Sequence, residues 1–285
     1  MKPTGMSSAA VVAVMRRLTG EKRTGHAGTL DPEAAGVLPI MTGKATRLFD
    51  YLVDKEKEYE AVCAFGTSTD TQDATGTVLE TGDRYPDADT VQEKARELTG
   101  EIRQIPSMYS AIKVGGKPLY VRARKGETVD VPERIVTVSS IEVTGEEPDH
   151  GFAIRVNCGR GTYIRTLCDD LGKLCGCPAH MRSLIRIRSG VFTTETALTL
   201  DEARELAAEG KLAERMLPPD YPLRHLPRVD IPAKYAKQVA AGAKIPAENL
   251  SGNGPFRVYL AGKFWGIMQK NEDMLAWKAQ IAPEF

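Results

Sequence analysis

The run GHAGTLDPEAAGVLPIM, Gly25 to Met41, restricts this chain more than any other stretch. Gly25 and Gly28 can take positive φ and let another backbone or a ligand come close. Asp31 precedes Pro32, which biases it away from the right-handed helical region toward an extended backbone. Its carboxylate is therefore expected at the lip of a loop, with an Ala/Leu-rich segment able to pack behind it. On spacing alone Asp31 reads as a helix N-cap, with Pro32 at the first helical position and Glu33 in the first turn.

With 285 residues, one large domain and one small one are expected. No stretch approaches the ~20 apolar residues of a membrane span, and no charged-then-apolar leader opens the chain, so no secretory signal is expected. The cysteines number five, with Cys175 and Cys177 spaced C-x-C and no second pair or histidine cluster at zinc spacing. Reduced, partly buried thiols are the expectation, with no disulfide framework and no metal. The net charge is zero, yet residues 1–49 carry +4, residues 50–100 carry −8 and residues 155–190 carry +5. Such segregation can give a neutral protein a basic face for phosphate.

Along the chain, Ser7 or Ser8 can cap a helix with Val11, Val12, Met15 and Leu18 on its apolar face and Gly20 beyond its end. A second helix is expected from Lys44 to about Val53, with Ala45, Leu48, Phe49 and Leu52 at core spacing. Gly43-Lys44 is not a phosphate loop, because Leu38 stands where glycine is needed. Lys57 to Phe65 reads as a strand. Gly66 to Gly76, with Asp70 and Asp73, fails calcium-loop spacing and reads as a polar turn. Thr90-x-x-Glu93 reads as a capping box opening a helix that stops at Gly100. Gly115-Gly116 marks a hairpin, followed by a basic segment with Tyr109 and Tyr120 interleaved, a mixture suited to an RNA backbone and unstacked bases.

Strands at about 135–143 and 152–158 precede a helix that Gly161 or Thr162 can start and that runs to Leu174. Arg165 falls in its first turn, where the macrodipole disfavours a cation, so it needs a carboxylate. Asp169, four residues on, is the partner that spacing suggests. His180 to Arg188 reads as a strand with Arg182, Arg186 and Arg188 on one face and Leu184 opposite. Thr199-x-x-Glu202 caps a short helix, and Pro218, Pro219, Pro222 and Pro227 mark a linker. A helix at 232–241 and strands near 256–260, 263–269 and 274–279 then make a small β-rich module.

GHAGTLDP followed by AAGVLPIMTGKATR resembles the catalytic motif of the TruB family of pseudouridine synthases. The likeness continues through KEYEA at 57–61, GTSTDTQDATG at 66–76, QIPSMYSAIKVGGKPLY at 104–120 and GTYIRTLCDDLG at 161–172. Lys2-Pro3-Thr4-Gly5-Met6-Ser7-Ser8 is similar to the family's opening, ahead of which family members usually carry a few residues and a short strand; either the numbered start is late or the sheet edge is built differently. The resemblance implies an α+β pseudouridine synthase fold: a large mixed, mainly antiparallel sheet flanked by helices. It places a catalytic domain at 1–220, a thumb-like RNA-binding insertion at about 106–134 and a PUA-like RNA-binding domain at 225–285.

The implied activity is isomerisation of uridine to pseudouridine at position 55 in the T loop of tRNA, with no cofactor and no metal. The expected protein is a cytoplasmic monomer whose partner is the tRNA T arm. Asp31 would be the catalytic carboxylate, paired with Arg165, which would orient it and keep it charged. Attack on the base at C6, attack on the sugar at C1′ and removal of the 2′ proton all remain open routes. Tyr59 and Leu184 would sandwich the base, and the Tyr59 hydroxyl is a candidate for taking the C5 proton. His26 would fill the gap left by the flipped base, and Tyr163 would line the uracil pocket. Arg47, Lys113, Lys117, Arg122, Arg124 and Lys125 are the expected RNA-backbone contacts. A non-catalytic tRNA chaperone would share the basic segments but have no use for Asp31 with Arg165. The same chemistry on another RNA is the third reading.

Overall fold

Period-two alternation builds the centre of the molecule. In Lys57–Phe65 the side chains of Lys57, Tyr59, Ala61 and Cys63 are buried, while Glu58, Glu60 and Val62 turn to the other face. The computed structural model describes residues 1–53, 55–247 and 250–281. Its chain forms two units: Met1–Ser7, Leu30–Leu38 and Asp54–Ala197 make the first, and Ser8–Thr29, Pro39–Val53 and Leu198–Phe285 make the second.

The first unit holds a seven-stranded sheet in the order Phe192–Thr193, Ala179–Ser189, Lys57–Phe65, Gly151–Cys158, Arg134–Glu147, Gly100–Gln104. These pair antiparallel, and Ala35–Gly36 adds a parallel pairing to Ala179–Ser189. The architecture is the mixed, mainly antiparallel sheet of an α+β protein. One face is charged but neutralised across strands. Arg155 meets Glu60 at 2.8 Å, and Arg188 meets Glu58 at 3.0 Å. Ile164–Cys175 packs on Ala179–Ser189 and Lys57–Phe65, burying Ile164, Leu167, Cys168 and Leu171.

Two expectations here need correction, and a third holds. The helix after Asp87 runs Ala88–Glu97, and its cap is Asp87, whose Oδ1 accepts from Thr90 N at 2.8 Å. Thr90 is already inside the first turn, so the box expected at Thr90 and Glu93 does not form. The helix carrying Arg165 starts at Ile164, not at Gly161 or Thr162. Its start is held from a distant strand: Gln104 Oε1 accepts from Tyr163 N at 3.0 Å, and Gln104 Nε2 donates to Tyr163 O at 3.2 Å. The Gly115-Gly116 hairpin forms, joining Lys113–Val114 to Lys117–Pro118.

In the second unit, helix Ser8–Thr19 buries Val11 and Val12 and packs against Leu200–Ala208. That second helix opens with the capping box expected from Thr199 and Glu202. The segment expected as one helix from Lys44 is a 3₁₀ turn, Gly43–Leu48, followed by a short helix, Phe49–Val53. The tighter turn buries Leu48 and leaves Phe49 exposed. The C-terminal strands form a five-stranded sheet in the order Arg228–Asp230, Phe256–Leu260, Lys263–Asn271, Met274–Gln280, Ile245–Pro246. Val239, Ile245, Val258, Trp265, Met268 and Leu275 fill its core. Among the described residues, no helix is long and apolar enough to cross a membrane.

Candidate active site

Asp31 caps no helix. Its carbonyl accepts from Ala34 N at 3.1 Å, closing a turn that leads into the strand Ala35–Gly36. The N-cap alternative therefore falls, because the chain after Pro32 goes to the sheet. Lys2 supports the turn from behind. It is 1% exposed and donates from Nζ to the carbonyls of Pro3, Pro32 and Ala34. Burial lowers its pKa, while Glu33 and then Asp31 pull it back up. Backbone bonds from Lys2 N to Gly36 O, 2.8 Å, and from Gly36 N to Lys2 O, 3.0 Å, fix the other side.

Gly36 is the demanding glycine of the motif. Its φ is +114°, and a Cβ there would lie 2.2 Å from Arg186 O. Gly28 takes positive φ as expected, whereas Gly25 does not.

Arg165 reaches Asp31, not Asp169. Its Nε lies 2.9 Å from Asp31 Oδ2. Asp169 instead accepts from Lys173 Nζ at 2.7 Å and Gln72 Nε2 at 3.0 Å. The Arg165 side chain is 5% exposed, whereas that of Asp31 is 41% exposed. A buried guanidinium needs its donors used. Nη1 donates to Thr71 O at 2.8 Å and to Ser107 Oγ at 3.4 Å, and Nη2 donates to Tyr109 O at 3.0 Å. Asp73 Oδ2 lies 3.7 Å from Nη1. The cation is therefore locked by carbonyls on one side while its remaining donor holds an accessible carboxylate. That arrangement keeps one anion oriented and reachable, which is what a nucleophile or base requires.

Tyr59, Leu184 and Arg186 share the covered face of the sheet, since Arg186 pairs with Tyr59 and Leu184 with Ala61. The expectation that Leu184 opposes Arg186 is overturned. Register shifts between Met181 and Ser183, and between Arg186 and Arg188, mark β-bulges. Between them the buried positions are Leu184 and Arg186, while before them they are Ala179 and Met181. Arg182 points elsewhere, bonding Pro148 O and Asp149 O, and Arg188 joins the charged face. Arg186 is 1% exposed, and its Nε donates to Val37 O at 2.7 Å. Burial raises the pKa of Tyr59 although Arg186 beside it favours the phenolate, so the hydroxyl stays protonated at neutral pH. Burial also raises the pKa of Tyr163, against Arg134 and Arg165.

The other expected residues take up different surroundings. Tyr109 is not a free stacking platform: its hydroxyl donates to Asp70 Oδ2 at 3.2 Å, and its carbonyl takes Arg165. Lys113, Lys117, Arg124 and Lys125 are exposed on the hairpin and the segment after it. Arg122 closes the hairpin by donating to Val114 O at 3.1 Å, and the Arg124 guanidinium lies 5.6 Å from the Tyr120 ring centroid. His26 and Arg47 belong to the second unit. His26 ends the strand Thr24–His26, opposite Ile40, and exposed Arg47 donates to Gln280 O at 2.6 Å. Among the described residues, no group of three or more His, Cys, Asp or Glu is placed to hold a metal.

Sequence reasoning missed Lys2 as a brace, Arg186 as a buried cation and the Thr71–Asp73 loop as the Arg165 receptor. Lys2 and Arg186 gave no local sign, because both bind backbone carbonyls of residues distant in sequence. The loop gave a partial one, three threonines and two aspartates in seven residues, 69–75.

Known proteins with this sequence and geometry fall together. Residues 16–164 match the TruB family pseudouridylate synthase (N terminal domain), and residues 165–224 match the tRNA pseudouridylate synthase B C-terminal domain. The chain is 46% identical over 248 residues to tRNA pseudouridine synthase B of Bacillus licheniformis, covering 85% of this chain and 80% of that protein. It is 41% identical over 266 residues to the protein of the same name from Aromatoleum aromaticum, covering 93% and 85%. Among solved structures it resembles a Cbf5-Nop10-Gar1 complex at 28% identity and a TM-score of 0.70, over 94% of this chain and 76% of that one. Identity of this order across a continuous 16–224 match, with an aspartate–arginine pair where the motif places it, means that the chain belongs to the TruB family of pseudouridylate synthases.

Proposed function

We propose that this protein converts the uridine at position 55 of the tRNA T loop into pseudouridine, with Asp31 as the catalytic carboxylate and Arg165 as its fixed counter-ion. The observation that carries this reading is the 2.9 Å contact between a buried arginine and an aspartate whose side chain is two-fifths exposed. The reaction detaches uracil from C1′ through N1, turns it and rejoins it through C5. Electrons and atoms balance without a co-reactant, because the proton lost from C5 is matched by one gained at N1. An ionised Asp31 serves each of the three routes, attack at C6, attack at C1′ or removal of the 2′ proton.

Tyr59 and Leu184 are proposed to hold the detached base from the sheet face, excluding water. Tyr59, neutral at working pH, takes the C5 proton on its oxygen as its own hydroxyl proton passes to water. Arg186 favours the negative charge the oxygen carries while that proton leaves ahead of the transfer, and water returns a proton to N1. Tyr163 lines the uracil side, and His26 fills the space vacated by the flipped nucleotide. Arg47, Lys113, Lys117, Arg122, Arg124 and Lys125 bind RNA backbone. Residues 1–220 act as the catalytic domain and residues 225–285 as a PUA-like RNA-binding domain, in a cytoplasmic monomer.

The test is tritium release from tRNA labelled at uridine C5. Wild type is expected to release label and Asp31→Asn to release none while still binding tRNA. Tyr59→Phe is expected to cleave the glycosidic bond but retain the label. Equal release by wild type and Asp31→Asn would remove the catalytic assignment.

A further inference from the structure

The loop that receives Arg165 is itself held by one side chain. Gln72 has φ +63°, a left-handed backbone that a residue with a Cβ adopts only at a cost. Both ends of its amide are bound to the helix Ile164–Cys175. Oε1 accepts from Thr166 Oγ1 at 2.8 Å, and Nε2 donates to Asp169 Oδ2 at 3.0 Å. Thr166 is 1% exposed. The Gln72 backbone is tied as well, its N to Thr69 O and its O to Met181 N, each at 3.1 Å.

Two neighbouring residues of the helix thus grip two neighbouring residues of the loop. Arg165 takes the carbonyl of Thr71, and Thr166 takes the side chain of Gln72. The peptide joining Thr71 to Gln72 carries the carbonyl on Arg165 Nη1. Any rotation of Gln72 out of its left-handed conformation turns that peptide and withdraws the acceptor.

We infer that Gln72 is a positioning residue for the reaction: by binding Thr166 and Asp169 it holds the Thr71 carbonyl on Arg165, and so fixes the guanidinium that orients Asp31. The inference rests on the catalytic reading of Asp31 and Arg165 given above. The Gln72 side chain binds Thr166 and Asp169 and acts on Arg165 and Asp31 through the loop.

Single-turnover kinetics at saturating enzyme test it, because that rate constant does not depend on the fraction of inactive protein. Gln72→Leu keeps the bulk and removes both bonds. Its rate constant should fall about 10- to 100-fold, the size of loss that a small misplacement of a catalytic group produces, with half-saturation within about threefold of wild type. Thr166→Val should behave alike, and Thr166→Ser, which keeps the donor, should recover the rate. In an Arg165→Lys background, Gln72→Leu should add little, because both changes act on one cation.

A wild-type rate in folded Gln72→Leu overturns the inference, as does a loss of equal size in the Arg165→Lys background. If Gln72→Leu does not fold, equal rates for Thr166→Val and Thr166→Ser overturn it, and unequal rates with serine the faster support it. Pseudouridine formed by wild type but unaffected by Gln72→Leu leaves the proposed function standing. No pseudouridine from wild type removes both.

Discussion

Arg165 shows why the identity of one side chain matters more than its charge. Its guanidinium serves Asp31 through Nε and carbonyls on both terminal nitrogens. A lysine ammonium is one point and cannot meet acceptors spread around a planar fork. Arg165→Lys is therefore expected to lower kcat by about 100-fold or more, with tRNA binding retained, as measured by the same tritium release. The pair was legible in sequence only through motif likeness. Helical spacing pointed to Asp169, and that choice failed because Arg165 faces inward while Asp169 turns to Lys173 and Gln72. Spacing along a helix counts neighbours on its surface, and a buried arginine takes its partners from elsewhere in the fold.

Among the elements, those whose signal is periodic were readable and those set by distant partners were not. The strands 57–65, 151–158 and 179–189 announced themselves by alternation, and Thr199 with Glu202 announced its cap. By contrast, the start of helix Ile164–Cys175 depends on Gln104, some sixty residues earlier, and the strand Ala35–Gly36 depends on Arg186, some 150 residues later. Two residues make no periodic pattern, so Pro32-Glu33 drew the eye to a helix that the sheet pre-empts. Gly36 is the point of that docking. Gly36→Ala forces a Cβ against the Arg186 carbonyl at positive φ. A loss of roughly 2–4 kcal/mol is expected, read from urea midpoints, together with lower activity, since Asp31 hangs from the same turn.

For the molecule as a whole, folding keeps protons on groups that the unfolded chain releases. Burial, partly offset by a hydrogen bond with Thr162, raises the Cys158 thiol from 9.0 to about 11. An acid with a raised pKa contributes stability that is full below its unfolded value and lost as pH climbs through the folded one. Between pH 9 and 11 the folded state binds more protons than the unfolded state, and stability should fall by about 2–3 kcal/mol from this group. Urea midpoints across that range should fall more steeply for wild type than for Cys158→Ala. The basic and acidic stretches and the C-terminal β module were visible in the sequence because they depend on sums over many residues, whereas the α+β class was legible only through the likeness to the family.

The two bulges in Ala179–Ser189 carry a consequence of another kind. They let one continuous segment present different parity to the same face, with Leu184 and Arg186 inward only because of the offset at each end. Losing the extra residue of the first bulge, between Met181 and Ser183, would turn both side chains out to the opposite surface at a stroke. The length of that segment is therefore as constrained as the identity of Leu184 and Arg186 themselves.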